Sequence, residues 1–224
     1  QYEFTRINVK LKSGQETEIN APGPKVTQDQ FQALLTQIKN TTNKDTVIVA
    51  GSVPNSIPSD AYAQIAEITK NTGAKLVVDA EKDLVETVLP YQPLFIKPNK
   101  DELEVMFNTT VSSDQDVVKY GKEILKKGAQ SVIISLGGDG AVYVDEQQSI
   151  KAVNPQGKVI NTVGSGDSTV AGMVAGLESG LSIQDAFKQA VASGTATAFE
   201  EDLATRDAIE KIKSQVTVSV LDGE

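Results

Sequence analysis

The chain has 224 residues, 39% of them hydrophobic and 23% charged, and 21 Lys and Arg against 30 Asp and Glu leave a formal net charge of −9. That balance repels a phosphate backbone and argues against nucleic acid as a partner, although backbone dipoles can still hold a small phosphorylated ligand. The lack of Cys and His excludes disulfides, thiolate zinc sites, cysteine nucleophiles and imidazole chemistry, so proton transfer falls to a carboxylate, Lys, Tyr or water.

Residues 4–12 mostly alternate apolar and polar side chains, with Phe4, Ile7, Val9 and Leu11 as the apolar set. This is the two-residue period of a half-exposed strand. Ser13-Gly14 is a turn signal, Glu16 to Asn20 is the return strand, and Ala21-Pro22-Gly23-Pro24 breaks regular structure. The hairpin reads as a separate edge sheet or lid. From Thr27 the pattern changes: Thr27 caps a helix with Phe31, Leu34, Leu35 and Ile38 on its inner face. Thr46–Ala50 is a β-branched run of the kind buried on both faces. Ser59 is the expected cap of a helix that turns Tyr62, Ile65 and Ala66 inward. Strands follow at 76–78, 94–96, 132–134 and 141–144. Helices are predicted near 84–89, at 99–107, up to Gly128, and at 166–178, 183–198 and 205–214, before a last strand at 216–221. Alternation of this kind specifies right-handed βαβ units, and so a mostly parallel sheet with helices on both faces. No run of 18 apolar residues and no signal peptide is present, so a soluble cytoplasmic protein without membrane contact is expected.

Ligands of such sheets bind beyond the carboxyl ends of the strands. Four segments fall there. In Asn161-Thr162-Val163-Gly164-Ser165-Gly166-Asp167-Ser168, small residues lead straight into a helix. Backbone N–H groups and the helix dipole make that an anion hole suited to a phosphoryl group, with Asp167 placed to act as general base. A glycine turn capped by Asp167 is the plainer alternative. Ser135-Leu136-Gly137-Gly138-Asp139-Gly140 allows close approach of a nucleotide, or is simply a hairpin turn. In Lys97-Pro98-Asn99-Lys100-Asp101-Glu102, Asn99 and Glu102 share a helical face and can order the water shell of Mg²⁺, or can form a capping box. Gly51-Ser52-Val53-Pro54 is most simply a rigid loop, and Arg6 a solvated edge charge. No Walker A or dinucleotide fingerprint is present.

These four stretches, in this order and spacing, resemble the ribokinase-like carbohydrate kinases of the PfkB type. Thr5-Arg6-Ile7-Asn8-Val9-Lys10 and Glu18-Ile19-Asn20-Ala21-Pro22-Gly23-Pro24 are similar to the phosphosugar branch, which contains the 1-phosphofructokinases and tagatose-6-phosphate kinases. The resemblance implies a three-layer αβα fold, with residues 1–24 as part of a small β lid and 25–224 as the nucleotide- and sugar-binding core. It implies ATP and Mg²⁺ as cofactors. It also implies phosphorylation of fructose 1-phosphate to fructose 1,6-bisphosphate, with tagatose 6-phosphate as the alternative substrate, and a homodimer through the lid. Asp167 becomes the catalytic base, and the backbone of Gly164, Ser165 and Gly166 the cradle of the transferred phosphoryl group. Ser135 to Gly140 line the nucleotide site, with Lys97 near the triphosphate and a Ser193-Gly194-Thr195 turn beside the base. Asn99 and Glu102 position Mg²⁺ through water, Arg6 binds the phosphate already on the sugar, and Ser52 lies near the substrate. Ser165 stands where many relatives have Ala. The family's opening part, with sugar-holding residues, has no counterpart ahead of Gln1. Residues 1–224 alone are therefore expected to bind Mg·ATP but to phosphorylate sugar poorly, with a non-catalytic nucleotide-binding fragment as the competing reading.

Overall fold

The computed structural model describes residues 5–13, 15–21 and 23–221; Phe4, Gly14 and Pro22, which carry part of the hairpin reading, lie outside them. Strands β1 (Asn8–Ser13) and β2 (Gln15–Asn20) pair antiparallel and form a sheet of their own. Val9 faces Ile19 across this ribbon, and Ile7, Val9, Leu11 and Ile19 are all exposed.

Thr27 caps α1 (Gln28–Lys39) in a full capping box, its hydroxyl accepting from the Gln30 amide and its own N–H donating to the Gln30 side chain. Then come β3 (Thr46–Ala50), α2 (Ala61–Thr72), β4 (Lys75–Asp79), α3 (Lys82–Val88), β5 (Phe95–Ile96), α4 (Lys100–Phe107), α5 (Asp114–Lys127) and β6 (Ser131–Ser135). The chain closes with β7 (Ala141–Asp145), β8 (Ser149–Val153), α6 (Ser165–Glu178), α7 (Ile183–Ala198), α8 (Arg206–Lys213) and β9 (Thr217–Val220).

Strands β3 to β9 form one sheet in chain order. β3–β6 are parallel, whereas β6–β9 run antiparallel, so the sheet is mixed. For β6–β7 and β7–β8 the physical reason is connection length: parallel neighbours need a crossover, but residues 136–140 and 146–148 are long enough only for hairpins, whereas β9 returns beside β8 after α6–α8. Successive side chains point to opposite faces. Leu76, Val78, Ile96, Val132 and Ile134 pack under α1–α5, and Val77, Phe95, Ile133 and Tyr143 pack under α6–α8. Helices therefore cover both faces, as the ribokinase-like expectation requires.

Several local expectations are corrected. Leu34 is 44% exposed, because α1 buries the stripe Phe31, Leu35 and Ile38 and turns the flanking position outward. β3 is not buried on both faces: it is the last strand of the sheet among the described residues, and Ile48 is 46% exposed. Asp60, not Ser59, is the cap of α2, and its side chain makes no capping bond. β8 was not anticipated at all. Ser193–Thr195 is not a turn but lies inside α7.

Candidate active site

The carboxyl ends of β3, β4, β5 and β6 emerge along one edge of the sheet, carrying Gly51, Asp79, Lys97 and Ser135. The amino end of α6 arrives at the same edge, because the ideal position of a Cβ on Gly166 lies 3.3 Å from the Lys97 ammonium. Lys97 is 7% exposed and pairs with Asp79, Nζ to Oδ1, at 3.2 Å. A buried cation is tolerable only with such a partner. Burial pushes the Asp79 carboxyl above its ordinary value; Lys97 pulls it back, and the charge of Asp167 pushes it up again. Asp167, in the first turn of α6, therefore stands within electrostatic reach of this pair. Sequence reasoning named Lys97 and Asp167 but missed Asp79.

Gly164 begins α6 in the left-handed region, at φ 80°. The Ser165 N–H is spent on the Thr162 carbonyl at 3.2 Å, so the amides of Gly166 and Asp167 are the unpaired donors at this helix start. The Ser165 hydroxyl oxygen is buried and has no hydrogen-bond partner.

Two clefts open along this edge of the sheet. The first, of about 760 Å³, is lined by Lys97, Asn99, Ser135, Leu136, Gly137, Gly138, Gly140, Ser165, Gly166 and Thr195 among the sequence-predicted residues. Asp139, Glu102, Gly164 and Asp167 are not part of its wall. Asn154 ties the walls together: its amide donates to the Gly137 carbonyl at 3.0 Å and its carbonyl accepts from Thr195 Oγ1 at 2.8 Å. Phe199 and Val159 add an apolar side. Asn154, Phe199 and Val159 were also missed, since no local motif marks them.

The second cleft, of about 670 Å³, lies between the N-terminal segment and the loop after β3, and Arg6, Lys25, Gly51 and Ser52 are in its wall. Arg6 Nη1 donates to Ser52 Oγ at 3.0 Å, so the structure brings these two predicted residues together. Tyr62 donates to the Gly51 carbonyl at 2.7 Å, and burial, with the Asp79 charge second, pushes its phenol up to about 12. The Gly51 N–H in turn donates to the Asp79 carbonyl at 2.9 Å. The strand end that carries Asp79 thus joins the floor of the second cleft to Lys97 in the first.

Asn99 and Glu102 form a capping box at the start of α4, with both bonds at 2.8 Å. One Glu102 oxygen remains for water-mediated work. Among the described residues no group of three or more His, Cys, Asp or Glu is arranged to hold a metal ion directly. This donor set suits an Mg²⁺ that keeps its waters and is held mainly by a ligand's phosphates.

The family model described as pfkB family carbohydrate kinase matches residues 2–209. The chain belongs to this family. As a pfkB member it is a phosphotransferase acting on an alcohol group, from a family of sugar kinases that use ATP. It is 42% identical over 217 residues to a 1-phosphofructokinase of Bacillus subtilis, covering 97% of this chain and 72% of the relative. It is 34% identical over 219 residues to a D-tagatose-1-phosphate kinase of Bacillus licheniformis, covering 97% and 72%. The crystal structure of a candidate phosphofructokinase from Staphylococcus aureus superposes with a TM-score of 0.90 at 81% identity, covering 99% of this chain and 72% of that one. No helix among the described residues is long and apolar enough to cross a membrane.

Proposed function

We propose that this pfkB core transfers the terminal phosphoryl group of ATP to a ketose phosphate, with fructose 1-phosphate as the substrate and fructose 1,6-bisphosphate as the product. The observation that carries the reading is the Lys97 ammonium set against Gly166 at the head of α6, in the wall of a cleft of nucleotide size, with a second cleft holding Arg6 and Gly51 at the same edge of the sheet. ATP lies in the first cleft, against Ser135 to Gly140 and Thr195. Of the expected Gly164–Gly166 cradle, the Ser165 N–H is taken by Thr162, so the Gly166 amide, joined by that of Asp167 and by Lys97, faces the phosphoryl group in transit, where preorganised donors stabilise developing charge. Asp167 accepts the proton of the sugar hydroxyl as its oxygen bonds to phosphorus and the bond to the ADP oxygen breaks. Arg6, steadied by Ser52, grips the phosphate already on the sugar, since a guanidinium matches a phosphate with two charge-assisted bonds. Asn99 and Glu102 hold Mg²⁺ through water; when bound, the ion neutralises phosphate charge.

Residues 1–24 serve as part of a lid over the second cleft and residues 25–224 as the core. The apolar face Ile7, Val9, Leu11 and Ile19 supports a homodimer through that ribbon. The relatives named for fructose and tagatose phosphates support a ketose phosphate over a nucleoside.

The test is a coupled ADP-release assay on the intact protein with fructose 1-phosphate, fructose 6-phosphate and tagatose 6-phosphate. The expected result is the highest kcat/KM with fructose 1-phosphate. Preference for tagatose 6-phosphate would reassign the substrate, and nucleotide binding without turnover on any ketose phosphate would reduce the chain to a nucleotide-binding module.

A further inference from the structure

The Ser165 side chain sits on the first residue of α6, in the wall of the larger cleft. Its backbone N–H is already bonded to Thr162, so this residue offers a ligand nothing from its main chain. Its hydroxyl is the converse: the oxygen is buried, yet it is the sole buried side-chain polar atom among the described residues without a hydrogen-bond partner. Buried polar groups in folded proteins are almost always paired, and an orphan costs free energy that the free protein must carry. The serines and threonines nearby do not share this state. Thr169 Oγ1 donates to the Ser165 carbonyl at 2.9 Å, Ser193 Oγ donates to the Gln189 carbonyl at 2.8 Å, and Ser168 and Thr197 bond each other at 2.9 Å. Local backbone and side-chain acceptors are therefore taken, and Ser165 alone is left over at a turn whose neighbours are Lys97 and the unpaired amide of Gly166.

We infer that the Ser165 hydroxyl is a ligand-completed donor: a turn about its Cα–Cβ bond lets it bond an oxygen of the terminal phosphoryl group of a nucleoside triphosphate. The hydroxyl then distinguishes the triphosphate from the diphosphate, because only the former places an oxyanion against the head of α6. This rests on the reading above that the 164–166 turn receives the group in transit. The Lys97 ammonium and the Gly166 amide stand together at this helix start, and the hydroxyl of the residue before Gly166 is the group left to join them. That is the composition expected for an anion with several acceptor oxygens rather than for a base or a sugar ring.

Ser165→Ala tests it, since the change removes only the hydroxyl and keeps the volume of the site nearly constant. Two readouts are needed: the thermal midpoint of the ligand-free protein, and calorimetric Kd values for Mg·AMP-PNP and Mg·ADP. The inference predicts an unchanged or slightly raised midpoint, because an unsatisfied buried group has been removed. It also predicts about a tenfold loss of affinity for the triphosphate analogue, the size of one hydrogen bond to a charged group, with the ADP affinity within about twofold of the parent. A midpoint lowered by several degrees, with both affinities falling together, would show the hydroxyl to be a structural group and overturn the inference. Equal affinities in parent and variant for both nucleotides would overturn it while leaving the reading of the cleft intact. If the parent binds neither nucleotide, that reading fails and the inference with it.

Discussion

Arg6 and Ser52 are 46 positions apart in sequence and 3.0 Å apart in space. Neither residue alone is more than a polar surface side chain; together they form part of the wall of a cleft at the sheet edge that carries Asp79 and Lys97. Arg6→Ala is expected to raise KM for the sugar phosphate at least about tenfold while leaving the KM for ATP within about twofold, because the lost bonds are made in ground and transition states alike. Steady-state kinetics with each substrate varied in turn reads this out, and a change confined to the ATP KM would move Arg6 to another site. At this scale the sequence disclosed what lies in contiguous motifs, such as Gly164-Ser165-Gly166-Asp167. It did not disclose Asp79, because that residue acquires its meaning from Lys97, which reaches it only once β4 and β5 lie side by side. Asn154 was hidden for the same reason: its partners Gly137 and Thr195 lie on elements brought together by folding.

α6 and α7 cross with almost no side-chain volume between them. A Cβ on Gly194 would collide with Thr169 Oγ1 and stand 2.9 Å from the Ser165 carbonyl, and one on Gly172 would stand 2.9 Å from the Ala190 Cα. The head of α6 is therefore held by backbone-level contact with α7. Gly194→Ala should cost about 1–3 kcal/mol through overpacking, seen as a lower thermal midpoint. Gly138→Ala, where a Cβ meets nothing within 4 Å, should shift stability by less than about 0.5 kcal/mol. Equal effects of the two substitutions would contradict the crossing as the element that positions the site.

The start of α5 gives a pH signature. Asp116 accepts from the Ser112 N–H at 3.1 Å and from the Ser113 and Ser112 hydroxyls at 2.9 and 3.0 Å. These bonds, the Ser112 amide first, hold its carboxyl below the ordinary value. A folded-state pKa below the unfolded one adds stability above the unfolded value, and that stability drains away as pH falls through the folded one. The midpoint difference between the parent and Asp116→Ala should thus be largest above roughly pH 5 and shrink toward roughly pH 3 in thermal melts. A difference independent of pH would show that the carboxylate charge is irrelevant there. Most elements were legible from apolar periodicity, as Phe31, Leu35 and Ile38 behind the Thr27 cap illustrate. β8 was not, since Ser149-Ile150-Lys151-Ala152-Val153 is short and weakly alternating, and its partners β7 and β9 supply the pairing that makes it a strand.

On the scale of the whole molecule, the parallel half of the sheet sets four strand ends in a row, and the antiparallel half brings α6 and α7 back to them. The result is one cleft walled by Lys97 and the first turn of α6 and a second walled by Arg6 and Gly51, linked through the Asp79 strand end, which accepts from the Gly51 N–H and pairs with Lys97. Periodicity and βαβ alternation were enough to place helices on both faces and the candidate site residues at the strand ends. The hairpin alternative at Ser135–Gly140 foresaw β7 turning back on β6, but β8 and its antiparallel pairs with β7 and β9 were not foreseen. Nor could periodicity reveal that the Asp79 strand end links the Gly51 loop of the second cleft to Lys97 in the first. The account predicts a division of labour between these clefts, with phosphoryl transfer depending on Asp167 in the first turn of α6. The most direct test is single-turnover and steady-state ADP formation by Asp167→Asn in the intact protein with fructose 1-phosphate, alongside its Kd for Mg·AMP-PNP. The account predicts a kcat lowered about 10²–10⁴-fold, the usual cost of losing a general base, with nucleotide affinity within about twofold of the parent. A kcat equal to that of the parent protein would contradict it.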